Sequence, residues 1–202
     1  MAQALASGGV SKAAHSNEPA LRGVHHLAIC VEDLRETVDF YGDVIGLKLV
    51  HAMRVPEGID NWGNPPWEKL RHYFFDMGND SLLAFFEIPK GARGPADRNS
   101  IGAMQHVAFA CSPANFDALQ ERLKARNVRF VGPVENFPNV FSMYVYDPSN
   151  IRIEVTCKKT DGSEQRVVES IKQTRKTARK EIEQFTNRPE LVDRLTAHLP
   201  EN

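Results

Sequence analysis

The sequence predicts an α+β fold: two tandem βαβββ modules with a helical C-terminal arm. Three observations carry this. A histidine-bearing strand motif occurs twice, each copy leads into a helix-like stretch, and each closes with two strands joined by a tight turn. Gly23-Val24-His25-His26-Leu27-Ala28-Ile29-Cys30 matches Ala103-Met104-Gln105-His106-Val107-Ala108-Phe109-Ala110 at an offset of 80 residues. His26 thereby pairs with His106. Self-similarity of this kind marks a duplicated structural unit.

The helix of the first copy is expected over Asp33–Tyr41, with Leu34, Val38 and Tyr41 on one face. That of the second is expected over Pro113–Arg126, with Phe116, Leu119 and Leu123 at helical spacing. Ser112 suits its N-cap and Pro113 its first turn. Turns at Ile45-Gly46 and Arg126-Asn127 lead into strands Leu47–His51 and Val128–Val131. The closing strands are His72–Asp76 and Leu82–Ile88 in one copy, Ser142–Tyr146 and Ile151–Thr156 in the other. Their turns carry hairpin chemistry, Met77-Gly78-Asn79-Asp80 and Asp147-Pro148-Ser149-Asn150. Tyr73-x-x-Asp76 matches Tyr144-x-x-Asp147. Two inserts interrupt the repeat: Pro56–Lys69, with Trp62 and Trp67, and Pro89–Ile101. Loops of this length in a compact repeat are often functional. The boundaries are a disordered leader over 1–21, modules over 22–101 and 102–157, and an extension over 158–202.

Composition narrows the function. The 202 residues carry a formal net charge of −1, and the sequence pI is about 6.7. Neither value favours a nucleic acid or an anionic membrane as partner. No apolar run approaches the roughly 20 residues of a membrane span. The leader lacks the apolar region of a signal peptide. Cys30, Cys111 and Cys157 fit no metal-finger spacing and are odd in number, as expected of reduced thiols in a cytoplasmic protein. The arm reads as an amphipathic helix over about Gln165–Phe185. Its basic face holds Lys172, Arg175, Lys176, Arg179 and Lys180, and its apolar face suits the fold or a second subunit. A short last helix opens at Asn187 and Pro189.

Strand alternation then places the histidines. His26, Ala28 and Cys30 share a face, as do His106, Ala108 and Ala110, with small residues leaving room beside each imidazole. In the last strand Ile151, Ile153 and Val155 face the core, so Glu154 points the other way. If the modules pair about a pseudo-twofold axis, His26 and His106 meet and Glu154 completes the set. Two imidazoles and a carboxylate suit Fe(II), Mn(II), Zn(II) or Ni(II). A fourth ligand would come from Leu82–Ile88. Depending on the hairpin length, Phe85 or Glu87 falls at that position.

These residues resemble the vicinal oxygen chelate superfamily of glyoxalases, extradiol dioxygenases, methylmalonyl-CoA epimerases and bleomycin- or fosfomycin-resistance proteins. The resemblance covers about residues 22–157. It rests on VHHLAICVEDLRETVDFYGDVIGLKLV, MQHVAFAC and YVYDPSNIRIEV. It implies a metal on His26, His106 and Glu154 that binds an oxygen-rich small molecule. Four-ligand members, the glyoxalases and epimerases, add Glu or Gln from the first module's last strand. Three-ligand iron dioxygenases leave that place open. A dioxygenase signature places a tyrosine before an acidic-Pro turn ending at the metal glutamate, as Tyr144, Asp147-Pro148 and Glu154 do. Two features depart from it: Asn150 stands where the signature has glycine, and Val134–Phe141 lacks its histidine, a place His72 or His51 would have to fill.

The resemblance implies, first, an Fe(II) dioxygenase of phenolic, catechol-like or enediol substrates, with Tyr144 steadying the charged intermediate. The alternative is a glyoxalase-like lyase or isomerase using Ni(II) or Zn(II), with Glu154 or Glu87 moving the proton. A non-catalytic resistance-type binder is the third class. Phe85, His72, Trp62 and Trp67 are expected to line the substrate. Modules of this superfamily pair within or between chains, so a homodimer is compatible with the sequence.

Overall fold

Alternating apolar and polar residues build both sheets of the computed structural model, which describes residues 23–54, 70–88, 94, 97–159 and 171–201. The first module gives β1 (His26–Val31), α1 (Leu34–Val38), a π-helical continuation (Asp39–Ile45), β2 (Lys48–Arg54), β3 (Arg71–Gly78) and β4 (Ser81–Glu87). The second gives β5 (Val107–Ala110), α2 (Pro113–Ala125), β6 (Phe130–Phe137), β7 (Val140–Tyr146) and β8 (Arg152–Lys158). Helices α3 (Arg175–Ile182) and α4 (Pro189–Thr196) follow. The sheets run β1-β4-β3-β2 and β5-β8-β7-β6. In each, the first strand pairs parallel with the last and the remaining pairs are antiparallel. The duplicated βαβββ order is therefore present, with the C-terminal helices expected after it.

In the first sheet Ile29, Val31, Phe75, Leu83 and Phe85 are buried on one face. Their strand neighbours His26, Ala28, His72, Phe74 and Phe86 take the opposite face. In the second sheet Met143, Val145, Ile153, Val155 and Cys157 are buried. Ser142, Tyr144, Glu154 and Thr156 project to the other side.

Among the described residues the chain forms two compact units, and the helix of the first module is split between them. Leu34 clusters with the first sheet, whereas Arg35–Gly46 clusters with the second. Within the second unit Tyr41 is fully buried and its hydroxyl donates to Asp147 Oδ2 at 2.9 Å. Arg122 of α2 donates to the Val44 and Ile45 carbonyls at 2.9 and 3.1 Å, satisfying the end of the π-helical stretch. Gly46 then turns the chain at φ 94°, a left-handed conformation that glycine adopts without steric cost. Helix α2 begins as predicted, Ser112 Oγ accepting from Asn115 N–H at 3.3 Å with Pro113 in the first turn.

The arm is shorter in its described part than the sequence pattern suggests. Helix α3 follows Thr174, which caps it, and pairs with α4. Arg175 donates to the Thr196 carbonyl at 3.1 Å, and Arg179 pairs with Asp193. Two of the five expected basic-face residues thus hold this hairpin together, around buried Ala178, Val192 and Thr196. No described helix is long and apolar enough to cross a membrane. The leader and residues 160–170 lie outside the described residues.

Candidate metal centre

The second unit places two of the expected ligands together. His106 immediately precedes β5, and β5 lies parallel to β8 with Ala108 opposite Glu154. His106 Nε2 is 3.1 Å from Glu154 Oε2. The other carboxylate oxygen accepts from Ser142 Oγ at 2.6 Å and lies 3.3 Å from Asn136 Nδ2. Asn136 Nδ2 also reaches Ser142 Oγ at 3.0 Å and the Tyr144 hydroxyl at 2.7 Å. The Arg152 guanidinium sits 4.6 Å from the centre of the Tyr144 ring. Glu154 is thus held through one oxygen while the other faces an imidazole.

Each expected histidine has its Nδ1 engaged by the residue before it. His106 Nδ1 bonds Gln105 Oε1, and His26 Nδ1 lies 2.9 Å from His25 Nδ1. For His106 the neighbouring groups favour one tautomer. Gln105 Oε1 also faces Arg152 at 3.5 Å, so it is a carbonyl oxygen between two donors and takes the Nδ1 proton. The Nε2 lone pair is then aimed at a carboxylate oxygen. Two acceptors at 3.1 Å require a cation, a proton or a metal ion, beside them. The donor set therefore fits a divalent metal, with the histidine oriented as metal-ligating histidines usually are. No group of three candidate ligands is gathered among the described residues. His26 belongs to the first unit.

The first unit corrects the fourth-ligand expectation. His26 lies opposite Leu82, and Ala28 opposite Ala84. The ladder position equivalent to Glu154 is therefore Ala84. Phe85 and Glu87 pair with Ile29 and Val31, on the face away from His26. Phe85 is fully buried in the core, so it is no substrate wall. Glu87 accepts from the Leu34 N–H at 3.3 Å, at the start of α1, and pairs with Arg71. The repeat alignment slips by one residue here as well. Phe74 pairs with Ala84 as Tyr144 pairs with Glu154, so Phe74 is the counterpart of Tyr144, and Tyr73 faces the core.

His72 is 8% exposed, with its ring 3.7 Å from Phe86 and 4.2 Å from Phe74. Its Nε2 has no hydrogen-bond partner. Burial, then the charges of His26 and His51, lower its pKa to about 4. His26 and His51 flank the same Phe74 ring at 6.2 and 5.6 Å. Trp62 and Trp67 lie outside the described residues.

Sequence reading missed Asn136, Ser142, Gln105 and Arg152. Arg152 was legible as the residue alternating with Glu154. Asn136 was hidden by a β-bulge: Val131 pairs with Tyr144 but Val134 with Ser142, so Gly132-Pro133 resets the alternation. The stretch that lacks the expected histidine supplies this amide instead.

The second sheet of this duplicated fold carries an imidazole–carboxylate pair on its polar face. Residues 23–155 match the Glyoxalase/Bleomycin resistance protein/Dioxygenase superfamily, and the chain belongs to it. Human mitochondrial methylmalonyl-CoA epimerase is 29% identical over 111 residues, 52% of this chain and 54% of that protein. The chain thus matches about half the length of that relative. Lactoylglutathione lyase of Escherichia coli is 28% identical over 139 residues, 68% of this chain and 93% of that protein. MhqA of Bacillus subtilis, provisionally assigned as a ring-cleaving dioxygenase, is 32% identical over 87 residues, 42% of this chain and 25% of that protein. A glyoxalase/dioxygenase structure from Nostoc punctiforme superimposes with a TM-score of 0.53 at 25% identity, covering 70% of this chain and 94% of that one. Most members with assigned activities are enzymes, as these lyase, epimerase and dioxygenase relatives are.

Proposed function

We propose that this chain is a metal-dependent oxygenase of the ring-cleaving kind, acting on a small catechol-like, phenolic or enediol substrate. His106 and Glu154 of the second unit would hold its metal, Fe(II), and the family resemblance implies His26 as the third ligand. The observation that carries the reading is Ala84. A methyl group stands where a four-ligand lyase or epimerase needs a carboxylate or amide, and Glu87 is committed elsewhere. A ligand set that stops at two histidines and one carboxylate leaves positions for substrate and O₂. The similarity to MhqA supports the same class.

Bound there, Fe(II) would supply one-electron chemistry and Lewis acidity toward two adjacent substrate oxygens. The chain's own residues do the rest. Ser142 holds Glu154 Oε1, leaving Oε2 to act as ligand. Tyr144 donates a hydrogen bond to a substrate oxygen, and the Arg152 charge above its ring favours an anionic one.

A second reading is a lyase or isomerase that uses Ni(II) or Zn(II), with the Glu154 carboxylate moving a proton. It is supported by the coverage of nearly the whole Escherichia coli lactoylglutathione lyase. The deciding experiment is anaerobic purification, quantification of bound Fe, Mn, Ni and Zn, and O₂ uptake on a catechol panel. Iron with catechol-dependent uptake, lost in Glu154→Ala, supports the oxygenase. Nickel or zinc without uptake moves the assignment to the lyase. A protein that takes no metal is neither.

A further inference from the structure

We infer that Asn136 sets the direction of the Tyr144 proton, holding the phenol oxygen from within the sheet so that its O–H is offered to a negatively charged substrate oxygen. The substrate half of this rests on the oxygenase reading; the hydrogen-bond network does not.

The argument is a count of protons. Asn136 Nδ2 carries two hydrogens and has three oxygens within reach: Tyr144 at 2.7 Å, Ser142 at 3.0 Å and Glu154 at 3.3 Å. Ser142 gives its single proton to Glu154 Oε1 at 2.6 Å, so Ser142 Oγ can only accept from Asn136. The two N–H groups therefore go to the nearest oxygens, those of Tyr144 and Ser142. Charge fixes the orientation of the amide. Turned over, its Oδ1 would stand 3.3 Å from a carboxylate oxygen with no proton between them. Tyr144 thus accepts through its oxygen and retains its proton. Among the described residues Asn136 is the one hydrogen-bond partner of that hydroxyl. With Arg152 above the ring, the outward O–H lies beside a positive charge, which suits a phenolate or enolate oxygen.

Asn136 is accordingly a positioning residue that acts through Tyr144. Asn136→Asp keeps the shape but presents acceptors in place of the donor, so the phenol proton turns inward. The first test needs neither metal nor substrate. With tyrosine carbon-13 labelled at Cζ, the chain shows four signals, and Tyr144→Phe assigns one of them. That signal is expected to move in both Asn136→Asp and Asn136→Ala, in opposite senses for an inward-donating and a released hydroxyl. A signal unmoved in two folded variants overturns the proposal.

The second test is binding of 4-nitrocatechol to the Mn(II)-loaded protein, followed by its visible spectrum. Tyr144→Phe and Asn136→Asp are each expected to weaken binding about tenfold. The double variant should bind no more weakly than either single one. Fully additive losses would mean that Asn136 does not act through Tyr144. If wild type takes no nitrocatechol, the oxygenase reading fails, and the Cζ signals still decide the role of Asn136.

Discussion

The hydroxyl of Tyr41 and the carboxylate of Asp147, 106 residues apart in the chain, form a buried hydrogen bond of 2.9 Å. It ties the π-helical stretch after α1 to the turn between β7 and β8. Asp147 Oδ1 also accepts from the Ile151 N–H at 2.7 Å, so the same carboxylate shapes the turn that leads to Glu154. Tyr41→Phe leaves one oxygen of a buried carboxylate without this donor. The expected cost is about 1–3 kcal/mol, read from urea unfolding. An unchanged midpoint would show that the bond contributes nothing.

Asp147 also gives stability an unusual pH dependence. Burial raises its pKa above the ordinary 3.8, against the opposing hydrogen bonds from Ile151, Tyr41 and Ser149. A folded pKa above the unfolded one means that its contribution is fully present below the ordinary value. It is lost as pH rises through the raised value. Asp147→Asn should therefore gain relative to wild type over the window from the ordinary 3.8 up through the raised value. Parallel unfolding curves at both ends of that window would contradict the assignment.

His72 acts with the opposite sense. Its pKa is lowered from 6.5 to about 4, so the unfolded chain binds the proton more readily than the folded one. Its neutral form is favoured at higher pH, and stability is lost as pH falls from 6.5 toward about 4. His72→Phe fits between Phe74 and Phe86 and removes a buried nitrogen that has no hydrogen-bond partner. The variant should be at least as stable at neutral pH and lose less on acidification. Identical acid limbs for variant and wild type would place the proton uptake elsewhere.

These residues show what the sequence makes legible. His26, His106 and Glu154 stand out as candidates because a repeat and a period of two are visible in one dimension. Ala84 was not, because parity alone cannot count residues through the Gly78–Ser81 hairpin, where the ladder shifts register. Glu87 drew attention as the acidic residue of its strand, yet its partners, Arg71 and the Leu34 N–H, come from distant positions. Tyr41 looked like one apolar face of a helix. That the helix clusters with the second sheet depends on tertiary contacts to Asp147 and Arg122, for which no local pattern exists.

The bulge that turns Asn136 toward Tyr144 depends on Gly132. Its φ is 116°, and a Cβ there would stand 2.5 Å from the Ser142 carbonyl oxygen and 3.2 Å from Met143 Cα. Both neighbours are backbone of the strand that carries Ser142 and Tyr144. Gly132→Ala must therefore distort β7 or unpair it, at a cost of about 1–3 kcal/mol from strain. Because Ser142 supports Glu154, Mn(II) affinity should fall too, by about 10–100-fold. Loss of stability with full metal affinity would separate the bulge from the metal centre.

The contrast between Glu154 and Glu87 tests the ligand set directly. Glu154 lies on the polar face of its sheet, 3.1 Å from His106 Nε2. Glu87 lies on the core face of the other sheet, on Arg71 and the start of α1. Both are removed conservatively by Gln. Glu154→Gln should weaken Mn(II) binding by more than the roughly 10–100-fold that a lost supporting residue costs. Glu87→Gln should bind Mn(II) as wild type does, while losing about 1 kcal/mol of stability from its ion pair and helix-start hydrogen bond. Calorimetric titration with Mn(II) and urea unfolding of the same two variants give both readings. Metal affinity lost in Glu87→Gln would make the centre four-coordinate from protein and turn the functional assignment toward the lyases. Retained affinity keeps three ligands, and with them the open positions that an oxygenase needs.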